Sequence, residues 1–423
     1  MERKRIKVVW ICHLSNSEVR SYLPVKVPFL EHMVRKLFHD PSAENTDFAV
    51  WNTNGIREFE QFTDEVELHV VAPCHYLIPE TVRFELRGVH YYFFKDHPQY
   101  LYLEIRKRLL GKYSYWYKRN RQRIKEEVES ISPDVVHVIG AENPYYSLAA
   151  LDMPMGLPVI VQLQTLLSEP GFKDRYFMRA GDYEFRKQVE ESVLIRSPYI
   201  GSSMASFVEP VLKINPKGVI LPTSLALSEP ISQGNNDFRY DFVYFASNID
   251  KAADWALEAF AIASQKHPGI TLDIVGGGSP GCFSALAARI EELGLGEFVR
   301  FEGRLATHDD VIKQIRLARF ALLPLKVDRL SGTIRESMAN GIPVITTVTP
   351  DTPDLNSKRE CVLLSEPGDH EGLAANMCRL LEDDALAERL SRNSLLSANE
   401  RQSNRAIMRE WLEAYYRILD ERR

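Results

Sequence analysis

Hydrophobic residues along the chain fall in short, β-branched blocks separated by longer stretches with helical spacing. Residues 6–11 (IKVVWI), 68–71 (LHVV), 134–139 (DVVHVI), 158–163 (PVIVQL) and 199–201 (YIG) read as buried strands bounded by turn residues. Residues 27–38 and 120–131 between them carry a helical period. Residues 222–237 (PTSLALSEPISQGNND) then break the pattern with linker composition. Beyond the break the alternation restarts. Strands are predicted at 242–246, 272–275, 299–302, 320–324, 344–347 and 361–364. Helices are predicted at 253–266, 281–293, 309–317, 333–340 and 370–381, and a long amphipathic helix closes the chain at about 399–420. Strand–helix alternation implies parallel sheets covered on both faces. Two such runs predict two doubly wound α/β domains, residues 1–225 and 226–398, with 399–423 as a closing helix. Open sheets of this kind take ligands at the carboxyl ends of their strands, so a cleft between the domains is the expected site.

Length agrees with that division, because 423 residues exceed one ordinary core. A net charge of -6 argues against binding of polyanions by the whole molecule. Five scattered cysteines without a CxxC pair argue against a disulfide framework or a zinc site and favour a reducing compartment. The apolar run after the N-terminus is too short for a signal peptide, and no stretch is apolar enough to span a membrane. These features predict a cytoplasmic protein.

The chemistry concentrates in residues 322–347, LLPLKVDRLSGTIRESMANGIPVITT. A strand ends at Pro324, a loop runs to Gly332, and a helix starts near Thr333 and stops at Gly341. Ser331, Gly332 and Thr333 fall where unpaired amides leave a helix N-terminus, a place suited to a diphosphate. Glu336, one turn into the helix, is placed to accept hydrogen bonds from a ribose diol. Asp328 lies eight residues earlier on the loop, within reach of sugar hydroxyls.

This segment resembles the acidic-x7-acidic signature of the retaining glycosyltransferase family 4, of GT-B fold. Asp328 and Glu336 match its two acids, with Asp in place of the usual first Glu, and residues 337–344 (SMANGIPV) match the run that follows. Residues 273–279 (DIVGGGS), 301–304 (FEGR) and 363–369 (LLSEPGD) resemble further family segments in the same order. The resemblance implies two Rossmann-like domains facing a central cleft, with the acceptor on the N-terminal half and the donor on the C-terminal half. It implies Asp328 and Lys251 as catalytic residues and Glu336, Ser331, Gly332, Thr333, Gly277 and Arg304 as donor-binding residues. It implies a UDP- or GDP-type nucleotide sugar, a glycan or lipid-linked acceptor, and no cofactor or divalent metal. In similar proteins the last helix crosses back to the N-terminal domain. The chain departs from the pattern at three places. Lys251 lacks the usual preceding Arg, which leaves Arg329 or Arg304 to neutralise phosphate. Gln164-Thr165 stands where His-Gly is common, and residues 12–17 replace a glycine-rich loop.

Other polar residues carry less. His13, His75 and His137 lie near strand ends, where a lone histidine is more often structural than catalytic. Residues 106–125 hold nine basic residues, no acidic one, and Tyr113, Tyr115, Trp116 and Tyr117 interleaved. That composition suits a solvated helix with packed aromatics or an anionic membrane surface. No motif supports nucleic acid as a partner. Two other functions share the expected fold: a sugar-nucleotide epimerase or phosphorylase-like enzyme, and a non-catalytic scaffold.

Overall fold

The computed structural model describes residues 4–29, 46–98, 100–169, 172–175, 179–227, 237–326, 328–400 and 403–422. The expected helix at 27–38 lies largely outside them, as does most of the 222–237 break.

Among the described residues, the N-terminal sheet has eight strands: β1 (Ile6–Ile11), β2 (Val66–Cys74), β3 (Thr81–Leu86), β4 (Val89–Lys95), β5 (Val135–Ile139), β6 (Val159–Gln162), β7 (Tyr199–Gly201) and β8 (Val219–Leu221). Their order is β3-β4-β2-β1-β5-β6-β7-β8. Of these strands only β3 runs antiparallel, paired to β4. The hydrophobic blocks do not single out β3, β4 or β8. The first two form an edge ribbon whose Phe84, Tyr91 and Phe93 rings stack across the strands. Central β1 is buried on both faces, with Val8, Val9, Trp10 and Ile11 at most 1% exposed, as expected of a continuous apolar run in a parallel sheet.

The C-terminal sheet has six parallel strands: β9 (Tyr240–Asn248), β10 (Leu272–Gly277), β11 (Val299–Gly303), β12 (Ala318–Leu323), β13 (Val344–Thr347) and β14 (Val362–Ser365). The order β11-β10-β9-β12-β13-β14 is that of the doubly wound nucleotide-binding fold. In each sheet the order reverses beside the first strand, between β1 and β5 and between β9 and β12. The loops after these strands converge on the cleft.

Several contacts join the halves. The Asn404–Asp420 helix buries Ile407, Met408, Trp411, Leu412 and Tyr415 in the core of the N-terminal sheet, with Val8, Trp10, Phe59 and Leu68. Arg409 pairs with Glu65, and Trp411 Nε1 donates to the Ser224 carbonyl. On the cleft side, Arg329 Nε donates to Glu169 Oε2 at 2.7 Å, and Ser206 Oγ donates to Asp351 at 2.7 Å.

Candidate functional site

Between the sheets lies a cavity of about 460 Å³, within the usual range for small-molecule sites. Lys251, Gly277, Arg304, Asp328, Ser331, Gly332, Thr333 and Glu336 all line it.

Local rules position each of them. Lys251 ends a short 3-10 turn after β9, capped by the Asn248 side chain. Asp328 follows the neighbouring strand β12, and the two side chains meet: Nζ lies 3.0 Å from Oδ1 and 2.8 Å from Oδ2. Ser331 caps the Gly332–Ala339 helix, accepting from the Thr333 amide, so the first turn opens toward the cavity. Such a terminus favours anions through its unpaired amides and the helix dipole. Gly276 has φ +140, and a Cβ there would fall 1.9 Å from the Ala246 carbonyl oxygen, so the β10 turn requires glycine. At Gly277 a Cβ would lie 2.4 Å from Arg304 Nη2, so its absence seats the guanidinium against the turn. Arg304 also donates to the Ser247 carbonyl at 3.4 Å. Arg329 turns away from the cavity. It lies between Glu169 and Asp351 with its guanidinium over the Phe207 ring. Of the two arginines considered for phosphate, only Arg304 lines the cleft.

Glu336 has a partner that sequence reasoning missed. His308 Nε2 lies 3.1 Å from Glu336 Oε1, and both side chains are largely buried. Burial disfavours the imidazolium, but the hydrogen bond to Glu336 and the charges of Glu336, Asp309 and Asp47 outweigh it and raise His308 above the ordinary histidine value. The only local signal is Thr307, an N-cap that places His308 at the start of the His308–Ile315 helix.

The N-terminal wall includes His13, Phe48, Trp51, Gln164, Ser202 and Met204. His13 stacks on Tyr145, whose hydroxyl lies 2.6 Å from Nδ1. Burial, aided by the charge of Arg186, lowers this histidine to about 4, so it is neutral at pH 7. His137 is not at the cleft but beneath the last helix, with Nδ1 2.7 Å from Tyr415 Oη. His75 faces Asp96 on a separate, smaller pocket.

Among the described residues, Glu67, His69 and His90 come close enough to share a metal ion. They sit at the amino ends of β2 and β4, opposite the cleft, and Lys7 and Arg5 already pair with Glu67. No described helix is long and apolar enough to cross a membrane.

Residues 240–383 match the family model described as Glycosyl transferases group 1. The chain is 28% identical over 110 residues to 2-deoxystreptamine N-acetyl-D-glucosaminyltransferase of Niallia circulans, covering 26% of this chain and 28% of that one. It is 27% identical over 175 residues to an exopolysaccharide phosphotransferase of Streptomyces coelicolor, covering 41% of this chain and 18% of that one. The matches thus span less than a third of each of these curated relatives. Among solved structures, sucrose-phosphate synthase of Thermosynechococcus elongatus superposes with a TM-score of 0.69 at 16% identity, covering 99% of this chain and 100% of that one. Anabaena HepE, solved with UDP and glucose, superposes with a TM-score of 0.62 at 14% identity, covering 97% and 100%. The fold is GT-B, and residues 240–383 are similar to the glycosyl transferases group 1 domain.

Proposed function

We propose that the chain is a glycosyltransferase that moves a sugar from a nucleotide diphosphate donor to an acceptor hydroxyl, with retention at the anomeric carbon. One observation carries the reading: a lysine–carboxylate pair, a helix N-terminus, an arginine and a buried carboxylate line one cleft of a GT-B fold. In this reading Glu336 holds the ribose, and the amides at residues 331–333 take the diphosphate. Lys251 and Arg304 offset the charge that grows on the leaving group. Asp328 contacts the sugar. The acceptor oxygen bonds to the anomeric carbon as the carbon–phosphate oxygen bond breaks. The acceptor proton passes to the departing diphosphate. No step calls for a divalent metal. HepE was solved with UDP, and a UDP-type donor is the first to test.

The experiment is a nucleotide-sugar panel, read by calorimetry for binding and by mass spectrometry for transfer. One donor should bind and lose its sugar only when an acceptor is present. Turnover of donor without acceptor would favour an epimerase, and binding to none would favour a scaffold.

We also propose contact with an anionic membrane through the first part of residues 106–125, giving access to a glycan or lipid-linked acceptor. The Tyr100–Leu110 helix leaves Tyr102, Ile105, Leu109 and Leu110 exposed at helical spacing, Leu109 by 77%. The later basic residues support this less than their number suggests. Arg121 pairs with Asp152, and Arg119 and Arg123 pair with Glu80.

A further inference from the structure

The His308–Glu336 contact belongs to a longer chain of charges. Asp47, on the N-terminal side of the cleft, accepts from Arg20 at 2.7 Å through Oδ1 and from the His308 amide at 3.2 Å through Oδ2. The Asp47 amide donates to the Ala306 carbonyl at 3.1 Å. Arg20, Asp47, His308 and Glu336 therefore alternate in sign from one domain into the other. Asp47, His308 and Glu336 all line the cavity.

We propose that His308 is a positioning residue for the nucleotide-sugar donor: its side chain orients the Glu336 carboxylate, and its backbone amide fastens that region to Asp47 of the N-terminal domain. The proposal rests on the reading of Glu336 as the ribose-binding carboxylate. A glutamate on a short helix has three free side-chain torsions, and a buried partner removes that freedom before the donor arrives. A carboxylate has about four lone-pair sites, so one imidazolium does not exhaust it.

The charge on His308 gives the arrangement a signature. Glu336, Asp47 and Asp309 face His308 and favour the imidazolium. Arg20 is held on the far side of Asp47, and Arg335 contributes to the same cleft wall. As pH rises through the elevated value, the imidazolium is lost and only a neutral hydrogen bond to Glu336 remains. Donor affinity should then fall. The two phosphates of a nucleotide sugar keep fixed charges across this range, and whatever else titrates in the donor is common to wild type and variants, so the difference in slope reports on His308.

The test titrates the intact protein with UDP-glucose and GDP-mannose by calorimetry between about pH 6 and pH 9, in wild type, His308→Gln and Glu336→Gln. The wild type should lose about tenfold in affinity across the range, the size of one charged hydrogen bond. His308→Gln should bind more weakly at the acidic end and show a flat profile, which a merely structural histidine would not produce. If His308→Gln does not fold, Glu336→Gln carries the test, because it too should be flat. A binding wild type whose slope persists in the variants overturns the role of His308 alone. A wild type that binds neither nucleotide sugar overturns the donor reading, and this proposal with it.

Discussion

Lys251 Nζ lies 2.8 Å from Asp328 Oδ2, so a cation of the proposed donor site is already held by the acid proposed to meet the sugar. The two residues follow adjacent parallel strands, β9 and β12, at the point where strand order reverses. A donor diphosphate must compete with Asp328 for the lysine. Asp328→Asn should therefore leave affinity for the nucleoside diphosphate unchanged or higher, while transfer falls at least about 100-fold. Lys251→Met should lower that affinity by about 2 kcal/mol. Calorimetry paired with steady-state rates separates the two effects. Parallel losses of binding in both variants would contradict the competition.

Glu336→Ala should weaken nucleoside diphosphate binding by about 1.5–3 kcal/mol, the range for hydrogen bonds to a charged group. Its removal also takes away the carboxylate that lies 3.1 Å from His308 Nε2. The His308 ring should then titrate at lower pH, which NMR of the imidazole reads directly. Unchanged nucleotide affinity would remove Glu336 from the donor site.

Residues 322–347 were legible because strand end, loop, helix and second strand are consecutive in sequence. Ser331 caps the helix within two residues of the amide it binds. The same reading could not find His308, which reaches Glu336 from another helix across a turn of the fold. Nor could it see that Arg329 belongs to Glu169, a partner 160 positions away. A one-dimensional pattern shows which residues are free to reach a cleft. It does not show which opposite charge takes them first. The edge ribbon β3–β4 escaped for a similar reason. Its stabilisation comes from cross-strand stacking of Phe84, Tyr91 and Phe93 rather than from a buried apolar run.

Two buried neutral histidines should each subtract stability in acid. Burial lowers His137 to about 3, and burial with the charge of Arg186 lowers His13 to about 4. In the unfolded chain each binds a proton below about pH 6.5. Each therefore contributes stability that is complete above that value and is lost as pH falls toward its folded value. The slope is up to about 1.4 kcal/mol per pH unit for each group. Burial raises Glu190 to about 7 and Asp273 to about 6, which adds stability as pH falls, so the histidine contribution is read as a difference: between about pH 7 and pH 5, urea unfolding of His137→Leu should lose less stability than wild type. A variant that follows the wild-type slope would exclude His137 as a source.

The exposed face of the Tyr100–Leu110 helix can be tested apart from the ion pairs beside it. Leu109→Ser with Leu110→Ser removes two exposed apolar side chains. Reversing Arg119, Arg121 and Arg123 would instead break contacts with Glu80 and Asp152 and confound folding with docking. Wild-type protein should sediment with anionic vesicles, less so as salt rises. The serine pair should reduce sedimentation severalfold with no change in melting temperature. Wild type that ignores anionic vesicles at low salt would rule the surface out.

The closing helix makes the strongest structural prediction. Tyr415 Oη accepts from Trp10 Nε1 at 3.0 Å and contacts His137 Nδ1 at 2.7 Å, joining the end of the chain to β1 and β5. Ile407, Met408, Trp411, Leu412, Tyr415 and Ile418 are each at most 4% exposed. Burial of a large apolar side chain contributes about 1.5–3 kcal/mol, so the gross gain from the six, before the entropy cost of ordering them, is as large as the net stability of a typical domain, roughly 5–15 kcal/mol. The helix is thus part of the N-terminal core, although it follows the C-terminal domain in sequence. Trp411→Ala should cost about 3–5 kcal/mol by leaving a cavity against Trp10 and His137. Ending the chain before Asn404 should expose the Val8–Trp10–Phe59 surface and cause aggregation. Size-exclusion chromatography and thermal melts read both outcomes. A truncated protein that stays monomeric and melts with the wild type would show that the N-terminal sheet folds without its last helix.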